Sequence, residues 1–187
     1  MFRGLWFSLL AGFAFLGLAQ AQDSFSVGMA YSPKPPLALE QTQPPGPSLE
    51  RPPWDRLLFG PAPEGYRGLA ISARLLAWSV PWTLVGSTIG LLSDDPWQRA
   101  FWLTNSVWAA VNSGIALVGL LGPEPDQDGL RNLLYINAGI DVLYIAGGVF
   151  LALQPDARSQ GSGWAIALQG AWLLLFDLFN ALALEKP

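Results

Sequence analysis

Three ionisable side chains, Arg74, Asp141 and Asp177, lie inside long apolar stretches of this sequence. A charged group in such a stretch costs about 2.5 to 3.5 kcal/mol on membrane-insertion scales, so each one needs a partner or a function. One guanidinium can neutralise only one of the two carboxyl groups. The other must then be protonated or hold a cation. The pattern indicates chemistry with a proton, a metal ion or a small polar ligand.

Asparagines accompany these charges at helical spacing. Asn137 and Asp141 are spaced i, i+4, and Asp177 and Asn180 are spaced i, i+3, so each pair shares one helix face. In another apolar stretch, Asn105 and Asn112 are seven residues apart and also share one helix face. We therefore predict a polar centre inside a helix bundle. Its candidate members are Arg74, Asn112, Asn137, Asp141, Asp177 and Asn180.

Four apolar stretches must position these residues, at about 68 to 92, 98 to 121, 132 to 153 and 161 to 184. At about 1.5 Å per residue, each can cross an apolar bilayer core of roughly 30 Å. The predicted fold class is all-α: an integral membrane four-helix bundle over residues 67 to 185. Half of the chain is apolar and it contains nine Trp, which suits helices anchored at membrane interfaces.

Short connections separate the four stretches and make neighbouring helices antiparallel. Asp95 with Pro96 predicts an N-cap followed by proline at the first helical position. Gly122 with Pro123 ends the second stretch, and Gly161-Ser-Gly163 is predicted to open the fourth.

The N-terminal part predicts export. Residues 1 to 21 combine Arg3, an apolar run and Ala19-Gln-Ala21, which is typical of a signal peptide cleaved after Ala21; an uncleaved anchor is the alternative. Residues 22 to 66 are proline-rich, and we expect a largely irregular extracytoplasmic segment. Within it, residues 54 to 59 suit a short segment at the membrane interface, just before the first span.

Export of that segment orients the bundle, with the C-terminus also outside. The connections at 93 to 97 and 154 to 160 are then cytoplasmic. At the helical rise, Arg74, Asp141 and Asp177 all lie roughly 9 to 14 Å below the outer surface. They are therefore predicted to share one layer of the membrane.

Composition excludes several classes of function. The chain has no Cys and no His, which removes thiolate and imidazole metal sites, Cys nucleophiles and histidine bases. A net charge of −4 without a basic cluster argues against nucleic-acid binding. An intramembrane aspartyl protease needs two aspartates on adjacent helices, but Ile140 and Phe176 precede them here, instead of the Tyr-Asp and Gly-x-Gly-Asp motifs. We expect no enzyme activity and no cofactor.

Two interpretations of the polar centre stay open. In the first it is structural: polar side chains bridge the helices, glycines allow close approach, and Arg74 pairs with Asp177 or extends to the outer surface. The glycines concerned are Gly114, Gly119, Gly139, Gly147 and Gly148. In the second, Asp141 or Asp177 binds a proton, a cation or a small ligand.

Three segments carry a family resemblance: NSVWAAVNSGIALVG from Asn105, LYINAGIDVLYIAGG from Leu134, and GWAIALQGAWLLLFD from Gly163. The most distinctive pieces are Asn-Ala-Gly-Ile-Asp with the following Tyr, and Gln-Gly ahead of Phe-Asp. Over roughly its last 90 residues the chain resembles an uncharacterised family of small bacterial membrane proteins, known as a domain of unknown function. The resemblance implies a bacterial four-span membrane fold and no activity.

Together these observations predict a structural or accessory component of the bacterial cytoplasmic (inner) membrane. The alternative is a small transport or sensing subunit that works through Asp141 or Asp177. The lipid bilayer is the predicted partner. The sequence leaves open self-association and contact with another membrane or periplasmic protein.

Overall fold

A computed structural model describes residues 52–185. The predicted signal peptide and the proline-rich residues up to 51 lie outside this part of the chain. The described residues form helices without strands: α1 (Trp54–Phe59), α2 (Arg67–Leu92), α3 (Pro96–Leu121), α4 (Gln127–Ala152) and α5 (Ala157–Leu184). Of these, α2 to α5 are long and apolar enough to cross a membrane. The prediction of an all-α fold with four candidate spans is confirmed.

Aspartate side chains cap three of the four long helices at their N-termini. Asp95 accepts a hydrogen bond from the Gln98 backbone N–H at 2.7 Å, and Pro96 is the first residue of α3. Asp126 accepts from Gly129 N and Asp156 from Ser159 N in the same way. Since these caps satisfy free N–H groups, α4 begins at Gln127 rather than near 132, and α5 at Ala157 rather than near 161.

The four long helices alternate in direction, which gives the bundle two ends. At the Glu124 end, α2 and α4 begin and α3 and α5 finish; at the opposite, Asp95 end these roles are exchanged. Glu124 accepts hydrogen bonds from the Gly68 and Leu69 N–H groups at the start of α2. Within the bundle, α3 packs against α2 and α5, and α5 also packs against α4.

The interior is small and polar, whereas large apolar side chains face outward. Asn105, Gln169 and Ser79 are among the largest fully buried side chains, and the remaining buried positions on these helices are mostly Ala and Gly. Leu, Val and Phe side chains cover the outer surfaces of the long helices. A water-soluble domain has the opposite distribution, so the helices indicate a lipid environment.

Glycines set the spacing between α4 and α5. A Cβ added to Gly148 would lie 2.5 Å from the Ala167 backbone nitrogen, and one on Gly163 would clash with the Ala152 backbone. The predictions that glycines allow close helix approach are therefore correct at Gly148, and also at Gly119, which faces Ser72. They are wrong at the other predicted positions, since nothing lies within 4 Å of a Cβ on Gly114, Gly139 or Gly147.

Candidate functional site

The two intramembrane aspartates meet between α4 and α5. Asp141 and Asp177 are 4% and 6% exposed, and their carboxyl groups lie close enough to interact with each other. A bond between two carboxyl groups requires one proton, because two carboxylates offer only acceptors. Two neighbouring carboxyl groups can share one proton, the arrangement that carboxyl dyads adopt when both charges cannot persist side by side.

The packing of α4 against α5 explains why Asp141 and Asp177 lie close together. Gly170 of α5 packs against the α4 backbone at Asp141 and Ile145, with 3.2 Å from its Cβ position to each. Asp177 lies two turns further along the same face of α5. Side chains lean toward the N-terminus of their own helix. Because α4 and α5 are antiparallel, Asp141 and Asp177 lean toward each other.

Arg74 does not take part in this pair. Its Nε donates to the Leu57 carbonyl oxygen at 2.9 Å, and its Nη2 donates to the Gly60 carbonyl oxygen. These carbonyls belong to the C-terminal end of α1, where helical C=O groups lack partners within the helix. The ion pair between Arg74 and Asp177, one of the sequence alternatives, is therefore wrong. In residues 52–185 the ion pair is instead Arg131 with Asp128.

Arg74 fastens α1 to the bundle, which predicts the effect of Arg74→Gln. Hydrogen bonds to a charged group contribute about 1.5 to 3 kcal/mol, and about 1.4 kcal/mol corresponds to a factor of ten. We expect tryptic cleavage after the exposed Arg56 to accelerate by about tenfold, measured by mass spectrometry on protein in lipid. Arg99→Gln, at the Asp95 end, is the control and should leave this cleavage rate unchanged. An unchanged rate in Arg74→Gln would contradict the role of Arg74.

The candidate asparagines have separate environments. Asn112 of α3 is 5% exposed, and its amide Nδ2 is buried without a hydrogen-bond partner. Asn180 donates to the Phe176 carbonyl oxygen of its own helix at 2.7 Å. Asn137 is half-buried, one turn before Asp141 on the same face of α4. Of the three, Asn112 is the most deeply buried and has unused bonding capacity.

A second buried polar contact was not among the predicted site residues. Gln169 of α5 donates to Asn105 of α3 at 2.9 Å, and the two side chains are 1% and 0% exposed. Asn105 in turn donates to the Phe101 carbonyl oxygen. Gln169 could have been predicted from its spacing to Asp177, because it precedes Asp177 by about two helical turns and so lies near the same face of α5.

The carboxyl pair offers few ligands for a metal ion. In the described part of the chain, no group of three or more His, Cys, Asp or Glu side chains could hold a metal. Ions such as Ca²⁺ and Mg²⁺ take six or more oxygen ligands. Two neighbouring carboxyl groups can instead share a proton.

Comparisons with known proteins give one match. No curated protein and no solved structure matches the chain. The model of the Family of unknown function (DUF6992) matches residues 74–178. The matched region contains both aspartates and all the other candidate residues except Asn180. Because it covers more than half of the sequence, the chain belongs to this family of unknown function.

Proposed function

We propose that this protein is an accessory subunit of the bacterial cytoplasmic membrane in which the Asp141–Asp177 pair takes up and releases a proton. The observation that supports this is the close approach of two buried carboxyl groups on neighbouring helices. Asparagine at either position would supply an interhelical hydrogen bond without an ionisable group. The presence of two acids inside apolar helices therefore favours a function for the proton itself.

The surroundings leave a charge on the pair without compensation. On α4, Tyr144 is the other titratable group near Asp141. On α3, Asn112 and Trp108 are uncharged, and Arg74 of α2 is bound to α1. Loss of the proton would place two negative charges side by side, where repulsion is strong. It would drive α4 and α5 apart, which is a means of sensing or of coupled transport.

A structural role is the second candidate. The close approach of α4 and α5 at Gly148 and Gly163 favours it, because a permanently protonated pair would add an interhelical bond to the same interface. The two candidates differ in one respect. A structural pair keeps its proton at every pH at which the protein is folded, whereas a functional pair exchanges it.

Infrared spectroscopy of the full chain in lipid separates these candidates. We expect a carbonyl band of a protonated carboxyl group that loses intensity as pH rises. The band should be lost or shifted in both Asp141→Asn and Asp177→Asn. Asp156→Asn, at the cap of α5 outside the pair, should leave it unchanged. A band of constant intensity would support the structural role, and its absence at every pH would exclude a shared proton.

We further propose that the Glu124 end faces the exterior. The predicted signal peptide supports this orientation, since it exports the segment before α2. The C-terminus would then lie outside as well. The lipid bilayer is the proposed partner of the outward-facing Leu, Val and Phe side chains.

A further inference from the structure

A ring contact links α3 to α4 and shows which residues of the two helices lie at the same level. Trp108 and Tyr144 meet edge to face, with 4.6 Å between ring centroids and 89° between ring planes. Because α3 and α4 are antiparallel, one turn toward the Glu124 end means a later residue on α3 and an earlier one on α4. These residues are Asn112 and Asp141. They therefore lie near one level, each one turn from the ring contact.

Asn112 and Asp141 have complementary unused capacity at this level. The Nδ2 amide of Asn112 can donate and the Oδ2 oxygen of Asp141 can accept, and both atoms are buried without a partner. The two side chains are 5% and 4% exposed, so neither is solvated by bulk water. Buried polar atoms in proteins are almost always satisfied by other protein groups or by ordered water.

We propose that one water molecule binds between Asn112 and Asp141, accepting from Asn112 Nδ2 and donating to Asp141 Oδ2. Asp141 Oδ2 is the unpartnered carboxyl oxygen, so the water would connect the carboxyl pair to a third helix. Asn112 is then a positioning residue that holds the water against the pair. Where the proposed function holds, the water is also the first carrier of the exchanged proton.

Solid-state NMR of the full chain in lipid bilayers, with ¹⁵N-labelled asparagine, tests this inference. We expect magnetisation from water to reach the Asn112 side-chain amide at short mixing times. Asn105 is the matched control, because it is equally buried but donates to Phe101 and should show no such transfer. The Asn112 signal is assigned by its loss in Asn112→Leu, or in Asn112→Ser if the first variant does not fold.

Slow transfer at Asn112, equal to that at Asn105, would overturn the inference. So would a short contact between Asn112 Nδ2 and Asp141 Cγ, since a direct bond leaves no room for water. In the infrared spectrum, Asn112→Leu should also shift the carboxyl band. The two proposals fail separately: a carboxyl band that ignores pH contradicts proton exchange, while the water transfer to Asn112 would still be present.

Discussion

Gly148→Ala is expected to lower the free energy of unfolding by about 1 to 3 kcal/mol, the usual cost of overpacking a tight contact. The new Cβ would lie 2.5 Å from the Ala167 nitrogen and 2.8 Å from the Gly163 oxygen. Both are backbone atoms of α5, so they cannot rotate away as a side chain would. The helices must separate, which loses van der Waals contact along the tightest part of the α4–α5 interface.

The adjacent glycine provides the control for this prediction. Nothing lies within 4 Å of a Cβ on Gly147, so Gly147→Ala should be neutral or slightly stabilising, by up to about 1 kcal/mol from helix propensity. Unfolding of both variants can be followed by circular dichroism during titration of mixed micelles with a denaturing detergent. Equal effects of the two substitutions would show that the α4–α5 contact does not depend on Gly148.

Asn105→Leu is expected to destabilise the bundle by about 1 to 3 kcal/mol, the cost of leaving a buried polar group unsatisfied. Gln169 donates to Asn105 and its Oε1 already lacks a partner, so this substitution leaves the whole amide without bonds. Interhelical hydrogen bonds in membranes average about 0.6 kcal/mol, since the unfolded state finds other partners. We expect the larger value because Gln169 is 1% exposed and cannot reach another group without moving α5.

The double variant Asn105→Leu with Gln169→Leu tests the origin of that cost. Removing both amides leaves two apolar side chains in contact, so the double variant should be more stable than Asn105→Leu alone. The same detergent titration measures all three variants. If the two single effects simply add, the amide contact contributes no coupling and the destabilisation has another cause, such as steric strain.

The sequence was sufficient to predict the four candidate spans, because the length and hydropathy of each stretch can be read from it directly. Four apolar stretches of bilayer length must be helical, since only helices satisfy their backbone groups internally in lipid. The cap at Asp95 was also predictable, because Pro96 can begin a helix but cannot continue one. The starts of α4 and α5 were predicted too late. Hydropathy marks the apolar core of a span, whereas Asp126 and Asp156 cap polar turns that precede it.

The sequence by itself determined which residues are expensive in a membrane and which of them share a helix face. Only the tertiary structure decided what those faces meet. Arg74 binds carbonyl oxygens of α1, which no side-chain pattern reveals because every residue has a carbonyl. Gly148 packs while Gly147 does not, although both are glycines, since contact depends on helix rotation and register. The proximity of Asp141 to Asp177 follows from the same register between α4 and α5.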